Sequence, residues 1–390
     1  MNVHLITDPG ELKRTDELFA IAFEQKMEEP QDTPEDKALH WAAFSRQGDM
    51  MSTFAVTPFA VHFDGGSCQM GGVGGVATLP QYRRQGGIRE CFRAALPELY
   101  RRGFAFAYLY PFSPAYYRKF GFECGVRKLA VTLRLSLLKA RSVEGVCHLA
   151  EPGRPMAAER RSLDEAWERR FNMAVCHTAA EEVKDPARSQ EFCYVYQAAD
   201  GKPKAYTVFR MAEEADGRNL RCRKLVFVDR EGYDGLMGLF QSLAADHSYV
   251  KFSVPSQEAL LYAAPEWSLG AASWSVEPAG MVRVIHGEQV LRQARYIGSG
   301  SAVIGLEDPW IQENNGSFRV CFREGRAVEV TRTEDAPDVE LTIPAFSALI
   351  TGACAFDGAV QWMQGVRVQN PNAPLERIFY QKPMWIGDYF

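Results

Sequence analysis

Residues 71–92, GGVGGVATLPQYRRQGGIRECF, limit what this chain can fold into more tightly than any other stretch. Residues 73–78 read as a strand, interrupted by glycines and stopped by Pro80. A basic, glycine-bearing turn follows at Tyr82-Arg83-Arg84-Gln85-Gly86-Gly87. From Ile88 the spacing turns helical, with Ile88, Cys91, Phe92, Ala95 and Leu99 on one face. A strand, a turn of small and basic residues, and a helix whose first amides point back into the turn together suit a pyrophosphate. The expected guest is a nucleotide-bearing cofactor.

The same glycines fit the loose dinucleotide pattern G-x-G-x-x-A through Gly72, Gly74 and Ala77. In a dinucleotide fold they would lie in the turn that opens the helix. Here they precede Thr78 and Pro80 and fall inside the strand, so the match is misplaced.

At 390 residues, the chain exceeds one ordinary core and suggests two or three domains of about 150 residues each. A formal charge of -5 argues against a nucleic-acid partner and leaves Arg83, Arg84 and Arg89 for a small phosphate. Nine cysteines occur singly, without a C-x-x-C pair, which suits reduced thiols rather than disulfides or zinc. The seven histidines show no metal-ligand spacing, and no nucleophile elbow appears, so neither a metal nor a covalent acyl-enzyme is expected. No apolar run approaches the ~18 residues of a membrane span, and the N-terminus lacks a signal-peptide pattern. The expectation is a cytoplasmic protein without a membrane partner.

In chain order, a strand at 3–7 precedes a helix at 12–24 with Leu18, Ile21 and Ala22 on one face. Residues 24–37 are acidic and read as a solvated loop, or as a device that draws a cationic amine inward. Residues 50–63 and 69–78 form a hairpin about Asp64-Gly65-Gly66. A buried strand at 104–110 leads to a short helix that Ser113 and Pro114 begin and Gly121 ends.

Val76-Ala77-Thr78 running into Arg83-Arg84-Gln85-Gly86-Gly87-Ile88 resembles the acetyl-CoA motif of the GNAT acetyltransferase superfamily, where V-x-[TV] meets [RQ]-x-x-G-x-[GA]. Ile88 departs from the usual small residue, and RRQGGIR is similar to the enhanced-intracellular-survival (Eis) branch of that superfamily. The resemblance implies acetyl-CoA as co-substrate, held by Val76, Ala77, Thr78, Arg84, Gln85, Gly86, Gly87, Ile88 and Arg89, with Phe112 and Ser113 close by. Tyr117, in a Tyr-x-x-Phe-Gly-Phe segment, matches the family tyrosine that faces the cofactor sulfur. Chemically, a phenol can protonate the departing thiolate as general acid.

Amine attack also needs a base, and residues 69–78 hold no acid to supply one. The Eis resemblance points to the α-carboxylate of Phe390, at the end of an aromatic-rich tail, Met384-Trp385-Ile386-Gly387-Asp388-Tyr389-Phe390. Asp388 is the candidate for binding a cationic acceptor.

Beyond residue 141 the pattern restarts. A helix at 155–174, strands at 192–197, 205–211 and 219–229, a helix at 233–247, a strand at 249–254 and a short helix from Ser256 repeat the first order, as a duplication would. Its turn reads Arg230-Glu231-Gly232-Tyr233-Asp234, whose two acids would repel a pyrophosphate. From about Gly280 a helix at 288–294, four strands at 302–307, 317–323, 327–332 and 339–343, and a helix at 344–350 resemble the sterol-carrier-protein-like domain of Eis-type enzymes.

The expected fold is mixed α/β: a catalytic GNAT domain (1–143), a degenerate GNAT-like domain (144–279) and a sterol-carrier-protein-like α+β domain (280–390) whose end reaches the active site. The expected activity is direct acetyl transfer from acetyl-CoA, in a ternary complex, to a primary amine of an aminoglycoside- or polyamine-like cation. A protein lysine is the alternative acceptor, and a CoA-sensing or lipid-carrying protein is the alternative class. The resemblance further implies a homo-oligomer, hexameric in that family.

Overall fold

The computed structural model describes residues 1–23, 38–258, 260–263 and 270–390. The acidic segment at 24–37 lies outside the described residues. The chain divides into two compact units. One holds Met1–Val126, Ala279–Lys382 and Asp388–Phe390; the other holds Arg127–Pro278 and Pro383–Gly387.

The first stretch runs β1 (Asn2–Leu5), α1 (Pro9–Phe23), β2 (Leu39–Phe44), β3 (Met50–Phe63), β4 (Gly66–Thr78), α2 (Gly87–Arg101), β5 (Phe106–Leu109), α3 (Pro114–Arg118) and β6 (Glu123–Cys124). Next come β7 (Arg127–Arg134), β8 (Val146–Ala150), α4 (Ala157–Glu168), α5 (Pro186–Ser189), β9 (Glu191–Gln197), β10 (Pro203–Glu214), β11 (Gly217–Phe227), α6 (Arg230–Ser242), β12 (Tyr249–Pro255) and β13 (Ala272–Pro278). The last stretch supplies β14 (Met281–Val284), α7 (Gly287–Gln293), β15 (Gly300–Glu307), β16 (Gly316–Arg323), β17 (Arg326–Thr333), β18 (Val339–Thr342), α8 (Ile343–Thr351), α9 (Phe356–Trp362), β19 (Val366–Val368) and α10 (Leu375–Ile378).

Three mixed sheets result, in the orders β1-β2-β3-β4-β5-β14-β6, β8-β9-β10-β11-β12-β7-β13 and β17-β16-β15-β18-β19. The first two share one topology. In each, the single parallel pair (β4 with β5, β11 with β12) needs a crossover, and the intervening helix (α2, α6) provides it. The sixth place in each sheet goes to a strand distant in sequence. β14 takes it in the first unit and β7 in the second, although β7 directly follows β6 in the chain.

Sequence spacing finds most of these elements but misses strands β2, β6, β7, β8, β13, β14 and β19 and helices α5, α9 and α10. The α1 face is narrower than expected, because Leu18 is buried while Ile21 is exposed. Helix α4 stops at Glu168, short of the expected 174. After Ser256 the described residues show only a 3₁₀ turn at Leu260–Tyr262. Among the described residues no helix is long and apolar enough to cross a membrane.

The core of the first unit is aromatic. Phe92 of α2 stacks on Phe54 (4.7 Å) and on Phe120 (4.4 Å), placing α2 against the sheet and against the segment after α3. A buried ion pair closes the far side. Arg283 of β14 and Asp308 are both 0% exposed, with Nη2 2.8 Å from Oδ1. The same guanidinium donates to Phe120 O (2.8 Å) and Val284 O (2.7 Å). Asp308 also accepts from Trp310 N (3.0 Å) and from Asn314 Nδ2 (2.9 Å).

Removing one partner of such a pair leaves a buried, uncompensated charge. Asp308→Ala should therefore lower the unfolding free energy by about 3–5 kcal/mol, measured as a lower denaturant midpoint. The double replacement Arg283→Met with Asp308→Leu should recover much of that loss; a single variant no worse than the double would contradict the assignment.

Candidate functional site

Strands β4 and β5 pair only from Met70–Val73 to Phe106–Leu109. Strand β4 then continues to Thr78 against β3 alone, with Thr53 opposite Ala77 and Ala55 opposite Gly74. The extra residue in β4 makes a bulge, and Gly75 carries it with φ +60°. A Cβ there would stand 2.6 Å from the Phe19 ring, so glycine is required on two counts. Past Val73 and Leu109 the two strands separate, opening a wedge on the β5 side of residues 74–78. Of the sequence-predicted residues in this stretch, Val76 and Thr78 are half-buried and Ala77 is buried. Thr78 Oγ1 is 2.9 Å from Ser52 Oγ.

The turn that follows is curled by two left-handed residues, Arg84 (φ +63°) and Gly86 (φ +84°). A non-glycine residue held there is strained, and such strain gathers at functional loops. Gly86 is the N-cap of α2 and supplies no side-chain cap. The first bond of the helix, Glu90 N–H to Gly86 O at 3.1 Å, leaves the amides of Gly87, Ile88 and Arg89 ahead of it. Gly87 lies against β3: a Cβ on it would meet Ser52 Oγ at 2.3 Å. Contact between helix start and sheet therefore depends on its missing side chain. The Ile88 side chain is buried in the core, so only its backbone can serve a ligand. Arg84 and Gln85 are exposed, and Gln85 Nε2 donates to Gln81 O (3.1 Å). Arg89 is exposed too, with Nε 3.3 Å from Glu90 Oε1, which offsets part of its charge.

Helix α3 carries Tyr117, 2% exposed, among Phe112 (5.4 Å between ring centres), Tyr116 (5.2 Å), Phe122 (6.3 Å) and Phe92 (6.5 Å). Its hydroxyl has no hydrogen-bond partner among the described residues. Burial, with a smaller contribution from Tyr116, holds the phenol well above its ordinary 10.0. Phe112 is 74% exposed. Ser113 stands at the N-cap of α3, but its hydroxyl makes no capping bond; the expected side-chain cap is absent and the turn is held by Tyr116 N to Ser113 O (3.1 Å).

The chain end reaches the same wedge. The Phe390 ring packs on Phe59 (5.1 Å) and Tyr110 (5.4 Å). A Cβ on Gly72 would stand 2.7 Å from Phe390 Cδ2, and one on Gly74 would stand 3.0 Å from the Phe390 carboxyl carbon. Both glycines thus make room for this residue. Asp388 is half-buried and its carbonyl accepts from the Tyr110 hydroxyl. Tyr389, 84% exposed, stacks on Tyr110 at 4.6 Å.

Phe19, Ser52, Phe59 and Tyr110 were not singled out by sequence reasoning. The signal available for Phe19 and Phe59 was the glycine run itself, because glycine inside a strand marks the close approach of another group.

The second unit offers a direct contrast. Asp229 caps α6, accepting from Gly232 N at 2.9 Å. Lys204 Nζ lies 3.0 Å from Asp229 Oδ2 and also bonds Glu231. The place that is bare on α2 is filled here by the protein's own carboxylates. Among the described residues, no group of three or more His, Cys, Asp or Glu could hold a metal ion.

Comparison with known proteins agrees with this geometry. Residues 6–125 match an acetyltransferase (GNAT) domain family, residues 163–284 match another acetyltransferase (GNAT) domain family, and residues 288–387 match a sterol carrier protein domain family. A search of curated proteins gives no match. Among solved structures, a probable N-acyltransferase from Enterococcus faecalis has a TM-score of 0.84 at 20% identity, covering 100% of this chain and 99% of that one. A GCN5-related N-acetyltransferase from Anabaena variabilis reaches 0.85 at 17% identity, covering 100% of both chains. Eis1 from Mycobacterium abscessus reaches 0.80 at 17% identity, again covering 100% of both. At these identities the structural likeness is one of fold. GNAT domains imply acetyl-CoA as the co-substrate. With two GNAT domains followed by a sterol carrier protein domain, the chain is a GNAT acetyltransferase of Eis-like architecture.

Proposed function

We propose that the first GNAT domain transfers acetyl from acetyl-CoA directly to a primary amine of a cationic small molecule. The observation that carries this reading is the uncapped start of α2 beside the wedge between β4 and β5. The amides of Gly87, Ile88 and Arg89 receive the pyrophosphate, helped by the charges of Arg84 and Arg89 and by Gln85 at the turn. Residues 76–78 offer their free backbone edge to the amide-bearing arm of the cofactor, as an added strand would be received. Phe112 and Ser113 flank the thioester end.

The acceptor enters as an ammonium and must lose a proton before it can attack. The Phe390 carboxylate, placed at Gly74, takes that proton directly or through one water. The nitrogen then bonds to the thioester carbon, and the carbon–sulfur bond breaks. Tyr117 donates its proton to the leaving sulfur and regains one from the nitrogen, which sheds its second proton as the amide forms; its raised pKa keeps it protonated at neutral pH. The Asp388 carboxylate pairs with a second positive charge on the acceptor. The second GNAT domain, with its helix start already capped, serves as a scaffold.

Release of free thiol from acetyl-CoA over a panel of amines tests the activity, and turnover only with a protein lysine would redirect the acceptor assignment. One residue appended after Phe390 should lower kcat at least ~100-fold, within the scale of a lost general base; retained turnover would remove Phe390 from the mechanism.

Tyr117→Phe should lower kcat roughly 100-fold. Because Tyr117 acts in its protonated form and its pKa lies above 10.0, kcat/KM should show no alkaline decline below that pH. A decline there that vanishes in Tyr117→Phe would contradict the role.

Gly87→Ala should raise the Kd for acetyl-CoA, since the new methyl would collide with Ser52 Oγ at 2.3 Å. Isothermal titration of the variant, with and without Ser52→Gly, checks this: the second change should restore binding.

A further inference from the structure

A carboxylate at a chain end makes a precise base only if the end is held, and terminal residues fray unless something ties them down. Tyr110 touches each of the last three residues. Its hydroxyl donates to Asp388 O, its ring stacks on Tyr389 at 4.6 Å with planes 26° apart, and the same ring meets Phe390 at 5.4 Å. Tyr110 is fixed in turn. It immediately follows Leu109, the last residue of β5 paired with β4, and its ring abuts Tyr108 edge-on at 5.9 Å. Tyr108 is itself fully buried, its hydroxyl donating to Ala279 O at 2.7 Å. Burial, then the neighbouring Asp388 charge, raises the Tyr110 pKa, so the phenol remains a proton donor to the tail.

We propose that Tyr110 is the positioning residue of this enzyme: it anchors the tail backbone at Asp388 and seats Tyr389 and Phe390, so that the terminal carboxylate stays beside Gly74. It acts through Phe390 and touches neither the thioester nor the acceptor nitrogen. The inference rests on the proposed role of the Phe390 carboxylate. Its physical content is a division of labour within one side chain. The hydroxyl sets how far the tail advances along the wedge, and the ring sets its tilt.

Steady-state thiol release from acetyl-CoA with one turned-over amine separates this role from a merely structural one. Four proteins are compared: the parent, Tyr110→Phe, and both again with one glycine appended after Phe390. Tyr110→Phe keeps the ring and removes only the tether, so the fold should persist. Its kcat should fall roughly tenfold or more, because sub-ångström displacement of a reacting group is costly, while KM for acetyl-CoA changes less than about twofold. In the extended protein, where the carboxylate is already displaced, the same substitution should change kcat less than about twofold, since coupled groups are not additive. Added formate should partly restore turnover to Tyr110→Phe by replacing the misplaced base.

Equal losses in the parent and the extended background would overturn the proposal by showing that Tyr110 acts elsewhere. Full kcat in Tyr110→Phe, alongside a crippled extended protein, would overturn it while leaving the Phe390 base intact. Full turnover in the extended protein would remove the base, and this proposal with it.

Discussion

A fully buried guanidinium holds the first unit in its working shape. Arg283 reaches Phe120 O, Val284 O and both oxygens of Asp308, so one side chain joins the end of the α3 segment, its own strand β14 and the loop that opens after β15. Helix α3 has five residues, too few to persist alone. It is instead gripped from its C-terminal side, by Arg283 at Phe120 and by the Trp310 indole donating to Lys119 O at 2.9 Å. Gly121 follows in a left-handed conformation (φ +90°), and a Cβ on it would stand 2.8 Å from Arg283 Nε. The position of Tyr117 is therefore set from outside its own helix. The sterol-carrier-like segment contributes to the placement of Tyr117 through Asp308, which holds Arg283.

The two GNAT domains show how little of a fold specifies chemistry. Both sheets have the same strand order, the same parallel pair and the same crossover helix. Strand β11 also outruns its pairing with β12, which covers only Asn219–Arg221 and Tyr249–Lys251. The difference lies in what meets the helix start. Asp229 satisfies an amide of α6, and Lys204 neutralises Asp229 and Glu231, so an incoming phosphate would have to displace both the cap and its counter-ion. Gly86 and Gly87 leave the first amides of α2 without a side-chain cap. A stable helix end and a binding helix end are alternatives here, and the sequence chooses with two residues.

Local features were legible in the chain; long-range partners were not. The hairpin about Asp64 and Gly65, the α2 stripe and the short helix bearing Tyr117 follow from spacing and turn chemistry, which act within a few residues. β7 and β14 show the limit of that reading. RKLAVTLR and MVRV carry ordinary strand composition, and nothing in them says that each pairs antiparallel with a strand from a distant part of the chain. Arg283 is hidden for the same reason: one arginine in a short strand reads as solvent-facing until Asp308, some two dozen residues on, is brought opposite. Tyr110 read only as part of a buried strand, because its partner lies 278 residues away.

On the proposed reading, the base is written in the sequence as absences. A catalytic glutamate would announce itself by type, whereas a main-chain carboxylate can follow any last side chain. What the chain must specify is space and grip. Space comes from Gly72 and Gly74, where any Cβ would strike Phe390. Grip comes from Phe59 and Tyr110 at the tip, and at the root from Lys382, whose buried ammonium bonds Asp64 Oδ2 (2.6 Å) and Ile350 O (3.2 Å). Burial pulls Lys382 below its ordinary value while Asp64 opposes that pull. Glycines in β4, an aromatic last residue and a lysine eight positions before it are then one device: they convert a frayed end into a fixed charge at the mouth of the wedge.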